Sequence, residues 1–174
     1  MGIREVFGLL GTIISIILFT TPSLDIYKIY KTKEGIEKFP YLLFLSFIMN
    51  CLFWGLYGLT IDSSSVLLCN AYGLIANNIY IILYILSTNL ESNKKKAYIV
   101  IIIISQIILL FLFNLIRPTK GFYGLIANFF NICAVASTAQ NIKKVIDNKD
   151  VSYIAINVIY VYFLIPRVKN LFIQ

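Results

Sequence analysis

Six long apolar stretches, each closed off by a short polar one, run through this chain at residues 6–27, 40–61, 65–88, 97–116, 121–142 and 151–165. A helix needs about 20 apolar residues to cross the roughly 30 Å hydrocarbon core of a bilayer, so the first five stretches predict spanning helices. The sixth is shorter. Its uninterrupted part, VSYIAINVIYVYFLI, would rise about 22 Å, and it spans only if the helix runs on to Phe172 with Arg167 and Lys169 snorkelling to the interface. Ile and Val are abundant, which raises the question of strands. Runs such as YIVIIIISQIILLFLFNLI lack the apolar/polar alternation of a membrane barrel, and open sheet edges do not sit in lipid. The pattern therefore predicts an all-α integral membrane protein of five or six transmembrane helices.

Composition agrees. The 174 residues are 59% hydrophobic and 13% charged, where a soluble domain carries about 25% charge. Mean hydropathy is +0.84. A cleaved signal peptide would need a basic start and a small-residue cleavage site. Arg4 is offset by Glu5, and TTPSLDIYKIYK follows Phe19, so the first stretch is expected to stay as a helix. Cys51, Cys69 and Cys133 all fall in apolar segments and read as small hydrophobes rather than a disulfide framework. With no histidine and no carboxylate cluster, the chain offers nothing to build a metal site or an acid–base pair from. No enzyme activity and no cofactor are expected.

Charge gives the threading. Lys28, Lys31, Lys33 and Lys38 lie in the first connection, Lys94, Lys95 and Lys96 in the third, and Lys143, Lys144 and Lys149 in the fifth. The opposite side holds only Arg4, Arg117 and Lys120 before the tail. Ten basic residues against three place the first group in the cytoplasm and the N-terminus outside. Counting Arg167 and Lys169 makes the balance ten to five if the sixth segment spans and twelve to three if it does not, so the charge rule disfavours a sixth span. The net +7 is accounted for by orientation and contact with anionic lipid, with no nucleic-acid partner implied.

The hexapeptide YGLIAN occurs twice, at 72–77 and 123–128, but the shift of 51 that superposes the copies finds no supporting match between segments two and four. A shift of 116 does better. It lays Gly8-Leu9-Leu10 on Gly124-Leu125-Ile126, Thr21 on Ser137, Ile26 on Ile142, Lys28 on Lys144 and Lys33 on Lys149. Residues 1–92 then form a complete triple-helix bundle, 93–120 a linker helix that reverses direction, and 121–174 a partial second bundle parallel to the first. Parallel repeats of this kind are a transporter arrangement. YGLIAN reads as a chance echo or a shared small-residue helix start, with Gly73 and Gly124 letting backbones approach.

Several residues stand out as candidates for work. Pro22, near the inner end of segment one, removes an intrahelical donor, so the helix should bend or loosen there. Pro40 opens segment two, and the pair reads either as a cytoplasmic gate or as an ordinary kink and an ordinary helix start. Asn70, Asn77 and Asn78 must turn toward another helix or a wet cavity; Asn70 and Asn77 share a face, and Asn78 is about 100° round from Asn77. In NCLFWGLYG, Trp54 and Tyr57 are three apart and Asn50 is one turn before Trp54. An indole over a sugar's C–H face, with amides serving its hydroxyls, is a sound scheme for a neutral polyol. Trp54 reads equally as an interfacial belt residue, and Tyr57 as an aromatic anchor. Asn128 and Asn131 in segment five face roughly together, toward the first unit's polar side. Asp25 is close to the basic loop and Asp62 lies in an outer connection, so no deep carboxylate supports proton coupling.

Together LFTTPSLDIYKIYKTKEGIEKFPYLL, NCLFWGLYG and LLCNAYG, in this order over residues 6–90, resemble the first triple-helix bundle of the SWEET (MtN3/saliva) sugar transporters. The resemblance implies a 3+1+3 helical bundle and bidirectional, facilitative movement of a mono- or disaccharide down its gradient by alternating access. It implies hinge roles for Pro22 and Pro40 and sugar-facing roles for Asn70 and Trp54; Asn50, Asn128 and Asn131 are further cavity candidates by their positions in the sequence alone. The second unit departs from the family. Ser137, Thr138 and Ala139 stand where the family has serine-proline-leucine, and Ala155 stands where it has the helix-six proline. The family's helix-six tryptophan, its seventh helix and its second sugar-facing asparagine have no counterpart in this sequence. Half-size relatives work as dimers of three-helix units, which implies a homo- or hetero-oligomer with related bundles. The family also implies the plasma membrane, with an endomembrane as the alternative.

Two further readings compete. One is a non-transporting or decayed truncated paralogue that assembles with full-length relatives; Asn70 and Trp54 would then tolerate change. The other is a PQ-loop carrier of another small metabolite, which should carry a proline-glutamine pair, whereas here Ser23 follows Pro22 and Ala139 precedes Gln140.

Overall fold

The computed structural model describes the backbone of residues 3–36 and 41–148 and the side chains of 6–36 and 41–137; Pro40, the expected sixth segment and Ala155 lie outside the described residues. Every regular element among the described residues is a helix. The first apolar stretch forms two, α1 (Ile3–Thr20) and α2 (Ser23–Thr32). The next four give α3 (Tyr41–Thr60), α4 (Ser64–Ser87), α5 (Ser92–Ile116) and α6 (Lys120–Asn148). Val6–Thr32, Tyr41–Thr60, Ser64–Ser87 and Ser92–Ile116 are long and apolar enough to cross a membrane, and α6 covers the fifth expected span.

The helix ends follow from local chemistry. Pro22 interrupts the first stretch as the sequence predicts: Thr21 and Pro22 form a turn, with Pro22 at φ −71° and ψ −9° as the residue before α2. Lys33 closes α2 in a left-handed conformation, φ 60°, its amide bonded to Ile29 O at 2.7 Å. Between α3 and α4 only residues 61–63 intervene, with the Ser63 amide returning to Gly58 O at 3.0 Å. A connection this short makes α3 and α4 antiparallel neighbours. Arg117, φ 50°, ends α5 with its amide on Phe113 O, and Pro118 prevents continuation.

In space α4 is the hub. α1, α2, α3 and α5 all pack on it, and α3 packs on α6 with its other side. The reason is visible at Gly73, where a Cβ would lie 2.6 Å from the Phe19 ring of α1 and 2.8 Å from Cys51 Sγ of α3. Only a hydrogen fits at that three-helix junction, which is how small residues drive association where the hydrophobic effect does not. Ile26 and Ile29 of α2, Phe44 and Ile48 of α3, and Ala76, Tyr80, Ile81 and Ile85 of α4 form the buried cluster beside it. A second cluster, Phe53 with Tyr123 and Ala127, closes α3 on α6.

The two YGLIAN copies share letters but not surroundings. Tyr72 shares a 2.6 Å hydrogen bond with Thr20 of α1, Gly73 is crowded, and Asn77 is buried. In the second copy the Tyr123 hydroxyl donates to Phe113 O at 3.4 Å and Asn128 is exposed. Gly124 departs from the expected close approach: its nearest neighbour is the Tyr57 ring, 3.9 Å from where a Cβ would sit, an ordinary contact.

Polar ties supplement packing on α5. Gln106 is its one buried residue, and it meets Asn78 of α4 in a reciprocal amide pair: Nδ2 to Oε1 at 3.0 Å and Nε2 to Oδ1 at 2.9 Å. Each amide also donates to its own helix, at Leu74 O and Ile102 O, so both N–H bonds of both groups are used. At the lysine-rich end, Lys33 and Lys95 both donate to Leu86 O, at 3.2 and 3.1 Å, where the last carbonyls of α4 carry partial negative charge.

Candidate functional site

The antiparallel register of α3 and α4 fixes which candidates meet. Cys51 lies against Gly73, and Gly58 lies against Val66 and Leu67, where a Cβ would be 3.0 Å from the Leu67 amide nitrogen. Trp54 and Asn70 fall midway between these two contacts, on neighbouring helices at one depth. Asn70 reaches that level because it sits one turn past Val66, to whose carbonyl its Nδ2 donates at 2.7 Å. The same nitrogen lies 3.4 Å from Cys69 Sγ. No hydrogen bond to Asn70 Oδ1 is made by a described residue, although Asn70 is only 9% exposed. A nearly buried amide oxygen without a partner is costly, and the cost is removed by a hydroxyl donor or a water.

Trp54 is half-buried, set edge-on to Tyr57 with ring centroids 5.3 Å apart and planes at 89°, so the three-residue spacing does bring the two rings together. Its indole packs beside Phe53, Tyr123 and Ala127, between α3 and α6, and its N–H has no partner among the described residues. A half-buried indole and an amide oxygen without a donor among the described residues, at a single level, form the local chemistry of the site. Both are neutral, as is every side chain of α3 and α4.

The other candidates are placed as follows. Asn50 is buried, and its Nδ2 donates to Ala127 O at 2.8 Å, so its donor ties α3 to α6 while Oδ1 stays open among the described residues. Asn131 is half-buried beside the α6 face that carries Tyr123, Ala127 and Ala134; Asn128 is exposed, off that face. Asn77 donates to Gly73 O at 2.7 Å within its own helix, and Asn78 is committed to Gln106. Pro22 occupies the break between α1 and α2, on the lysine-rich side of the bundle. Sequence reasoning missed Gln106 and Tyr80. The signal for Gln106 was there, a lone amide deep in the most apolar stretch of the chain, which must find a partner in lipid.

Comparison with known proteins places the chain in a family. A family model described as the sugar efflux transporter for intercellular exchange (MtN3/saliva) matches residues 5–92. The bidirectional sugar transporter SWEET8 of Arabidopsis thaliana is 31% identical over 87% of this chain and 67% of its own length. SWEET7b of Oryza sativa subsp. indica is 28% identical over 93% of this chain and 64% of its own length. The bidirectional sugar transporter N3 of Medicago truncatula reaches 40% identity over a shorter stretch, 46% of this chain and 30% of its own length. This chain thus spans about two thirds of the length of the curated relatives that match along most of it. With an all-helical, multi-pass membrane bundle and a family match over its first half, the chain belongs to the MtN3/saliva (SWEET) family.

Proposed function

We propose that this protein carries a small neutral sugar, a mono- or disaccharide, across a membrane in either direction down its gradient. The observation that carries the reading is that Trp54 of α3 and Asn70 of α4 lie at one level on neighbouring helices, a half-buried indole of the kind that packs on C–H bonds and an amide oxygen left without a donor among the described residues. The matched relatives named as bidirectional sugar transporters support the substrate class. No Asp or Glu occurs in α3, α4 or α5, which favours facilitated over proton-coupled movement.

In this reading residues 1–92 form the first bundle, 93–120 the linker and 121–174 part of the second, with the N-terminus outside the cell and the plasma membrane as the site of action. Alternating access works through the Pro22 break, with Pro40, which precedes α3 in the sequence, as the second hinge residue. Asn50, Asn128 and Asn131 serve the hydrated interior, and a second bundle, from a second copy or a relative, closes against the first. Labelled glucose and sucrose uptake in cells lacking their own carriers tests it. The protein should give saturable uptake that a protonophore leaves unchanged, and Asn70→Ala should lower it at least tenfold at equal surface abundance. Uptake no greater than in empty cells would favour the non-transporting reading.

A further inference from the structure

The break between α1 and α2 frees a carbonyl that another helix takes up. Pro22 has no amide hydrogen, so Leu18 loses its usual donor. The Thr21 amide substitutes, lying 3.1 Å from Ile17 O and 3.3 Å from Leu18 O. Beyond the break the ladder resumes with the Ile26 amide on Pro22 O at 3.0 Å. In a continuous helix Phe19 O would accept from the Ser23 amide. Here it accepts from the Tyr80 hydroxyl of α4, at 2.8 Å.

Phe19 is held twice. Its ring lies in the groove over Gly73, and its carbonyl is capped by Tyr80, seven residues and two turns further along the same face of α4. Phe44 of α3, with its ring centroid 6.0 Å from that of Tyr80, fixes the tyrosine from behind, and the Tyr80 side chain is 6% exposed. Downstream of the break Ile26 and Ile29 are buried in the same cluster. Both arms of the interrupted helix therefore rest on α4, and the hydroxyl sits at the joint.

We propose that Tyr80 is a positioning residue for the Pro22 joint: its hydroxyl holds the Phe19 carbonyl, next to the Leu18 carbonyl whose usual donor Pro22 removes, turned toward α4, and so favours the broken over the straightened form of α1–α2. The proposal rests on the transport reading only in its consequence for rate. Straightening turns Phe19 O along the helix axis, toward the Ser23 amide and away from α4, so the hydroxyl bond is made best in the broken form. Removing the hydroxyl shifts the balance toward the straight form by about three- to tenfold, the range of one hydrogen bond exchanged in a partly buried site.

Tyr80→Phe deletes the hydroxyl and keeps the ring against Phe44. Hydrogen exchange of the peptide covering residues 17–26, in lipid nanodiscs, is compared for the wild type, Tyr80→Phe, Pro22→Ala and the double variant, alongside sugar uptake. Expected is slower exchange in this peptide in Tyr80→Phe, with no further slowing when Pro22→Ala is already present, because a continuous ladder no longer needs the outside donor. Maximal uptake should change about three- to tenfold in Tyr80→Phe with the half-saturating sugar concentration unchanged, and not change further in the double variant. Unaltered exchange in Tyr80→Phe, or the same alteration in both backgrounds, overturns the proposal. Absence of uptake by the wild type would count against the transport reading, and the exchange comparison would still decide the role of Tyr80.

Discussion

The first helical stretch and α6 align at a shift of 116 residues, yet they are built differently. In the first, Thr21 and Pro22 divide the helix, and both arms pack on α4. In α6 the aligned positions are Ser137 and Thr138, and the helix runs without a break from Lys120 to Asn148. Ser137 turns its hydroxyl back to Cys133 O at 2.8 Å, inside an intact ladder. A single proline therefore separates an interrupted helix from a continuous one on aligned sequences. The proposed movement belongs to the first unit, and α6 offers it a straight wall held through α3.

Moving the proline tests this difference most severely. Thr138→Pro should destabilise the protein by about 3 kcal/mol, the cost of a proline inside a continuous helix; unfolding by SDS titration in mixed micelles measures it. Pro22→Ala should leave stability within about 0.5 kcal/mol, since surface or compatible sites seldom cost more, but should slow uptake at unchanged abundance. Equal stability losses in both variants would abolish the distinction between joint and wall.

Smaller effects are expected where each helix meets its partner. Gly73→Ala forces a methyl onto the Phe19 ring and Cys51 Sγ, and should cost about 1–3 kcal/mol in the same titration. Gly124→Ala has room and gains helix propensity, so it should be neutral or stabilising by up to about 1 kcal/mol. Asn50→Leu removes the bond to Ala127 O that ties α6 to α3, and should cost about 0.6 kcal/mol, the mean for interhelical hydrogen bonds in membranes. A larger loss for Gly124→Ala than for Gly73→Ala would mean that α6, not α4, is the crowded element.

The helices were legible because lipid imposes a length and forbids alternation, and the joint was legible because proline lacks a donor. What lipid does not encode is which helix touches which. The sequence gives no sign that α1 rests on α4 rather than on α3, since all three are apolar on every side; that choice is made at Gly73, where only a missing Cβ lets Phe19 and Cys51 converge. The level shared by Trp54 and Asn70 follows from a three-residue connection and needed the register of α3 and α4 to be seen. Asn50 and Gln106 illustrate the same limit. An amide in an apolar run announces that it has a partner, but the partners, Ala127 O and Asn78, lie 77 and 28 residues away.

The central claim is that the Trp54–Asn70 level faces water and sugar. Its most direct test is a single cysteine at position 70, in a protein whose Cys51, Cys69 and Cys133 are replaced by alanine or serine, challenged with a charged, membrane-impermeant thiol reagent. Modification should proceed readily and slow when glucose or sucrose is added at saturating concentration. A thiol that reacts only with a lipid-soluble maleimide, at a rate indifferent to sugar, would place the site in acyl chains or dry packing and contradict a transport path through this seam.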